Sequence, residues 1–567
     1  MSTTYTAFLD ALAESGVSCI FANFGSDHPG LIEAIAEARA KGRKIPAVVT
    51  APSEFVAMSA ADGYARVSGR AQAVVVHVEC GTQSLAGAVH NAAKGRVPVL
   101  VFAGASPFTQ EGERAGTRNE FIQWIQDVHD QRGIVRGYMK YDTELKSGTN
   151  VKQMVHRALQ FAHSAPMGPV YLMGAREVME EEVSPVTLDP EQWRPVAPAG
   201  LSPEAVQAIA ADLASAKRPL IVTSYLGRNP AAVGALLALA VPHGIGVLES
   251  VPSAMNFPPD NPLHQGIQWN QKQQNTALAE ADVVLVLDSD IPWIPLHNRP
   301  APDARVHHID LDVLKEQMPL FYIPALTRAK ADCATALAQL NAALARDDAL
   351  AAARTAHWAK RHDAYRAAVR AREEKPAAGI TVEYLMACLR AHVDENTIVA
   401  NEGVTNYQPV FDHLETIWPG SIFASGAGSL GWYCGAALGM KLAAPEKTVI
   451  AVGGDGSYMF SQPATVHWMS RHCAAPFLTV VLNNRGWRAP RYSALSLYPD
   501  GYAAKANSID TQFDPPPDYA GIAAAAGGAF ARTVTDADDV EDALADGMRA
   551  VKMEKRSAVV DVWLDRA

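Results

Sequence analysis

The stretch Thr448-Val449-Ile450-Ala451-Val452, closed by Gly453-Gly454-Asp455-Gly456-Ser457, constrains this chain more than any other segment. Its apolar, β-branched run reads as a buried parallel strand, because strands covered on both faces lose the alternation of half-buried ones. The glycines after it let backbone amides approach a polyanion closely. Residues 461–472 then read as a crossover helix, and 477–482 as a return strand ending in Asn483-Asn484. That connection leaves Asp455 and one asparagine at neighbouring strand ends, where open α/β sheets take ligands. Carboxylate, amide and backbone oxygens are what Mg2+ or Ca2+ accepts while it also holds phosphate oxygens. Gly-Asp-Gly alone joins many strands to helices, so the pairing with the asparagines carries the reading.

The chain has 567 residues, 49% hydrophobic and 19% charged, which suits three or four globular domains. Sixty acidic against 49 basic residues give a net charge of −11, which argues against nucleic-acid or membrane partners. Six cysteines without a Cys-x-x-Cys pair predict neither zinc nor a disulfide framework, and fit a reducing, cytoplasmic setting. The N-terminus lacks the pattern of a signal peptide, and no apolar run reaches membrane length; Ala231 to Pro242 reads as a buried helix.

Up to about residue 180, helix-like and strand-like segments alternate: helical 6–14, extended 19–24, helical 31–41, extended 47–50, helical 55–68, then strands at 73–78 and 97–103. This βαβ rhythm predicts a parallel sheet covered on both faces. The Pro-rich acidic stretch 180–203 reads as a linker. Strands at 219–223, 283–287 and 306–310 mark a second unit, and 345–376 reads as a solvated connecting helix. The expected fold is α/β with three doubly wound parallel-sheet domains, at 1–182, 195–345 and 378–567, and a connecting helix at 346–377.

Gly454-Asp455-Gly456, the spacer 457–482 and Asn483-Asn484 resemble the thiamine diphosphate motif. A second match lies far upstream: Val48-Val49-Thr50-Ala51-Pro52-Ser53-Glu54, followed by Gly63-Tyr64-Ala65-Arg66. Together with the three-part layout, these are similar to the thiamine diphosphate enzymes related to acetolactate synthase, pyruvate decarboxylase and benzoylformate decarboxylase. The resemblance implies pyrimidine-binding, central and diphosphate-binding domains in this order. It implies Mg2+ held by Asp455, the Asn484 side chain and the Gly486 carbonyl. Glu54 is then the acid that hydrogen-bonds the cofactor's ring nitrogen N1′ and favours the imino tautomer, whose nitrogen removes the proton on C2. Leu430 corresponds to the apolar wedge that bends the cofactor, with Ser429 beside it. Val404, Thr405, Asn406, Gly454, Gly456 and Ser457 are the implied diphosphate contacts. By residue type alone, Glu54 also suits the first turn of the following helix, and Leu430 a plain core position.

In that family the Glu and the metal site come from different subunits, which implies a homodimer or homotetramer. The implied substrates are small 2-oxo acids or aldehydes: carbon dioxide leaves, and protonation gives an aldehyde or a second carbonyl compound gives a hydroxyketone. His77 occupies the place of a catalytic His in benzoylformate decarboxylase, although a lone His at a strand end also suits a structural role. Asp27 and His28, in the loop after the first strand, either contact substrate or cap the helix at Leu31. Gln123 resembles the active-site Gln of acetolactate synthases and aldehyde lyases. His307-His308, on a central-domain strand, is the only adjacent His pair, which argues against a simple pyruvate decarboxylase. Residues 287–292 stand where acetolactate synthases carry an arginine-bearing flavin segment, so FAD is not expected. Trp432, Tyr433, Trp487 and Arg488 flank the motifs as candidates for shaping a pocket for an aryl or acidic substrate. The expectation is an enzyme that depends on thiamine diphosphate and Mg2+ and decarboxylates a 2-oxo acid, carboligates, or does both. An aldehyde lyase or diketone-cleaving enzyme, and a non-catalytic cofactor-binding relative, are the alternatives.

Overall fold

Runs that are apolar at every position, such as Val99–Ala105 and Val283–Leu287, become central strands buried on both faces. A computed structural model, which describes residues 2–506 and 510–565, arranges them in three six-stranded sheets whose strand pairs are all parallel. The first sheet runs Ala47–Thr50, Cys19–Ala22, Gln72–Val76, Val99–Ala105, Val170–Ala175, Tyr141–Leu145. The third runs Ile422–Ala424, Thr397–Glu402, Thr448–Gly454, Leu478–Asn483, Ala558–Trp563, Phe530–Val534. Numbered along the chain within each sheet, both have the order 2-1-3-4-6-5. The strand order therefore reverses between Cys19–Ala22 and Gln72–Val76 in one domain, and between Thr397–Glu402 and Thr448–Gly454 in the other. Ligands of open α/β sheets bind outside the carboxyl ends at such a reversal.

The middle sheet has a different order, 3-2-1-4-5-6, with Pro219–Thr223 beside Val283–Leu287 at its reversal. Charged side chains crowd its carboxyl edge. The fully buried Lys315 Nζ donates to Asp310 Oδ2 (2.6 Å) and the Tyr225 hydroxyl (2.9 Å), and lies 2.8 Å from Asp290. Arg96, which belongs to the first sheet's domain, donates two hydrogen bonds to Asp290 (2.9 and 2.7 Å) and lies over the Tyr225 ring. Arg228 lies 3.5 Å from Asp288.

The outer domains meet along the helices Glu54–Ser68 and Trp432–Ala443. Their backbones approach so closely that a Cβ on Gly63 would fall 2.1 Å from the Ala436 carbonyl oxygen, and one on Gly439 1.9 Å from that of Ala60. Asp62 accepts from Trp432 Nε1 (2.7 Å) and Arg66 Nε (2.6 Å), while Arg66 also donates to the Ala424 and Ser425 carbonyls. The Gly63-to-Arg66 segment thus joins the domains within one chain.

The 180–203 stretch is largely exposed and irregular, with Glu182–Val183 paired antiparallel with Ser2–Thr3 and a 3-10 turn at Pro190–Trp193. One expectation needs correction. The helix Asp348–Arg370 is not solvated all round: Arg354, Trp358, His362 and Val369 are buried. Arg354 donates to the Leu213, Ala216 and His243 carbonyls, neutralising the carboxyl ends of two helices. The abundance of charge masked this stripe, which is spaced as a helix face. Pro230–His243 is a helix with one buried face, but Val241 is exposed. His307 and His308 are buried on their strand, with His307 Nε2 2.8 Å from Asp212. All six cysteines are unpaired, and no described helix is long and apolar enough to cross a membrane.

Candidate functional site

At the reversal point of the third sheet lies a cavity of about 260 Å³. The end of Thr397–Glu402 delivers Gly403, Val404 and Thr405 to it, the end of Thr448–Gly454 delivers Gly454 to Ser457, and the chain beyond Leu478–Asn483 delivers Asn484 and Gly486. Leu430 and Phe460 supply apolar wall. Asp455 is fully buried; its Oδ2 accepts from the Gly486 amide (2.8 Å), while Oδ1 has no hydrogen-bond partner. Burial pushes this carboxyl up to about 6. The two asparagines separate cleanly. Asn483 is committed to Asp561 Oδ1 (2.9 Å) and the Arg485 amide (3.0 Å), and Asn484 lines the cavity.

Sequence reasoning missed Glu402. Its carboxylate, at the tip of a buried strand, accepts from the Gly431 (2.7 Å) and Tyr433 (2.9 Å) amides and so fixes the turn carrying Leu430. Burial pushes it up to about 8. The Asn-Glu-Gly that closes an apolar run was the available signal, parallel to Gly-Asp-Gly. Asn406 and Ser429 lie off the cavity: Asn406 is buried, and Ser429 exchanges two backbone hydrogen bonds with the Asn91 side chain.

The matching reversal point of the first sheet carries the other predicted residues. Ser53 caps the helix Glu54–Ser68, so Glu54 is a half-buried first-turn acid at the end of the Ala47–Thr50 connection. His77 follows Gln72–Val76; its Nδ1 donates to Asp27 Oδ1 (2.5 Å) and its Nε2 lies 3.1 Å from Gln126 Oε1. Both partners are acceptors, which suits an imidazolium. The Asp27 hydrogen bond raises the imidazole above its ordinary value, with the Glu54 charge adding to it. Burial alone would push Asp27 up, but His28 and His77 hold it well below the usual carboxylate range. Val78, directly after His77, and Val404 both have positive φ (32° and 54°), strain for β-branched residues at each half of the site.

Asp27 is buried behind His77, accepts from the Val78 amide (3.2 Å) at the start of the helix Val78–Ser84, and does not cap the helix Pro29–Ala40. His28 is fully buried, with Nδ1 accepting from the Gly25 amide (3.1 Å). Gln123 is committed locally: its Oε1 accepts from the Asn119 and Glu120 amides. Gln126 is the glutamine beside His77. Glu54 and His77 do not line the third-sheet cavity within one chain.

Comparison with known proteins fits this geometry. Residues 2–134, 206–340 and 403–562 match the N-terminal TPP-binding, central and C-terminal TPP-binding domains described for thiamine pyrophosphate enzymes. The chain belongs to the thiamine pyrophosphate enzyme family. Relatives include a probable 2-ketoarginine decarboxylase of Pseudomonas aeruginosa, 26% identical over 75% of this chain and 73% of that one. A probable acetolactate synthase large subunit of Methanocaldococcus jannaschii is 26% identical over 72% and 69%. The crystal structure of a benzoylformate decarboxylase from Polynucleobacter necessarius shares the fold, with a TM-score of 0.81 at 18% identity over 100% of this chain and 99% of that one. This thiamine pyrophosphate enzyme is therefore of the decarboxylase and acetolactate synthase type. Its residues fit a cation and diphosphate. Asp455 Oδ1 is buried and unpartnered, and Asn484 and Gly486 line the same cavity. Among the described residues no cluster of His, Cys, Asp or Glu offers another metal site. One carboxylate with amide and carbonyl oxygens suits a hard divalent ion.

Proposed function

We propose that the protein is a homodimeric or homotetrameric, cytoplasmic enzyme that depends on thiamine diphosphate and Mg2+ and acts on a 2-oxo acid by decarboxylation, carboligation or both. The observation that carries this reading is the unpartnered Asp455 Oδ1 in a cavity shared with Asn484, Gly486 and Leu430. Asp455, the Asn484 side chain and the Gly486 carbonyl would hold the cation, and the amides of 403–405 and 454–457 the diphosphate. When bound, the cofactor supplies a nucleophilic carbon and takes up the electron pair left by departing carbon dioxide.

Glu54 would bond the pyrimidine ring from a second copy of the chain. Support comes from its absence from the cavity and from exposed apolar residues at both halves: Phe460 and Met459 beside Asp455, and Phe121 and Ile125 beside Gln126. His77, held protonated by Asp27 and Gln126, would deliver a proton to the product-forming carbon. The Asp27→Asn variant should lose the carboxylate that favours the imidazolium, so the alkaline limb of the kcat profile should move to lower pH. An unmoved limb would make the dyad structural. A reading without flavin is favoured by the charged side chains at the central sheet's reversal point, where Arg96 and Lys315 engage Asp290 and Asp310.

A panel of 2-oxo acids and 2-hydroxyketones, with carbon dioxide and aldehyde both measured, tests the reaction class. Carbon dioxide should appear in step with aldehyde or hydroxyketone. Hydroxyketone cleavage without it would assign an aldehyde lyase instead.

A further inference from the structure

The cavity wall carries a charge that the proposed chemistry does not use. Arg488 is the sole cation among the described residues that line it, and it opens the helix Arg488–Leu497 just after the metal-binding turn. It has no carboxylate partner among the described residues. Its Nε donates to the Tyr492 hydroxyl one turn on, and its guanidinium lies 4.9 Å from the centre of that ring. Tyr492 holds the guanidinium through Nε, while neither terminal nitrogen makes a hydrogen bond among the described residues. Trp487, Ala489 and Pro490 surround it with an otherwise neutral wall.

A half-buried guanidinium with its outer edge, formed by the two terminal nitrogens, free matches a carboxylate or sulfonate. Two anions could reach this cavity, the cofactor's diphosphate and the substrate. In the proposed reading, Asp455, Asn484 and the amides of the 403–405 and 454–457 turns already serve the polyanion. Nor is the reacting carboxylate a suitable target: a cation holding it would stabilise the ground state against loss of carbon dioxide. Building on the proposed reaction, we infer that Arg488 selects substrates bearing a second, retained anionic group, with the fork gripping that group at the far end of the side chain.

The test uses the protein loaded with thiamine diphosphate and Mg2+, comparing 2-oxoglutarate with 2-oxohexanoate. In the wild type, kcat/KM should favour the diacid, and Arg488→Ala should lower the diacid-to-monoacid ratio roughly 10- to 100-fold. Arg488→Lys should restore part of it, a point charge without the fork. Equal losses on both substrates overturn the inference. A drop of more than about tenfold in cofactor affinity in Arg488→Ala also overturns it, because the guanidinium would then serve the diphosphate. Calorimetry with glutarate and butyrate gives a readout independent of turnover. Glutarate preference lost in Arg488→Ala supports the assignment even if no 2-oxo acid is converted, an outcome that would sink only the proposed reaction. The same glutarate affinity in both proteins overturns the assignment.

Discussion

Glu54→Gln should lower kcat by about 10²- to 10⁴-fold while leaving Mg2+-dependent uptake of thiamine diphosphate within a few-fold of the wild type. The amide keeps the shape of the acid and its place at the start of the helix Glu54–Ser68, so packing against Trp432–Ala443 is undisturbed. What it removes is the proton that a carboxyl group shares with a ring nitrogen. Steady-state rates combined with calorimetric titration separate the two effects. An unchanged rate would reduce Glu54 to a first-turn acid, and a lost affinity would make it a binding group.

Asp455→Ala should do the reverse, weakening Mg2+-dependent cofactor binding more than about 100-fold, beyond the usual cost of disturbing a group behind a metal ligand. The cofactor-free variant should be no less stable than the cofactor-free wild type, because it deletes a buried carboxylate with one unpartnered oxygen. Thermal melts with and without cofactor read both arms. Wild type at 100 times the dissociation constant should gain about 2.7 kcal/mol, and the variant almost none. If the variant were equally stabilised, the cation would have to sit elsewhere.

The parts of the candidate site that were legible in the sequence are those built by short connections after apolar strands. Asp455 and Glu54 each follow such a strand within a few residues, so strand end and acid could be read together. Choosing between neighbouring residues of one type was harder. Asn483 ends its strand facing Asp561 of the adjacent strand, and Asn484 falls just beyond it; only the pairing of Leu478–Asn483 with Ala558–Trp563 reveals which amide is already engaged. Gln123 lies inside the four-residue helix Ile122–Ile125 and Gln126 just after it, in an irregular stretch without periodicity, and the local backbone satisfies only Gln123. The Asp27–His77 contact joins loops that meet because Cys19–Ala22 lies beside Gln72–Val76, a strand order that a linear reading does not contain. The buried stripe of Asp348–Arg370 was hidden for a compositional reason, its charged residues outweighing a few widely spaced anchors.

The ionic cluster of the middle sheet has a consequence for modularity. Asp288, Asp290 and Asp310 face Lys315 and Arg228 from their own domain, and Arg96 from the neighbouring one completes the neutralisation. Excised from the chain, the middle domain would retain an unbalanced negative charge beside Asp290, which Arg96 no longer neutralises. A chimera that grafts this domain onto a foreign first domain would need a guanidinium at the graft's matching turn, which makes residue 96 a compatibility checkpoint for recombination.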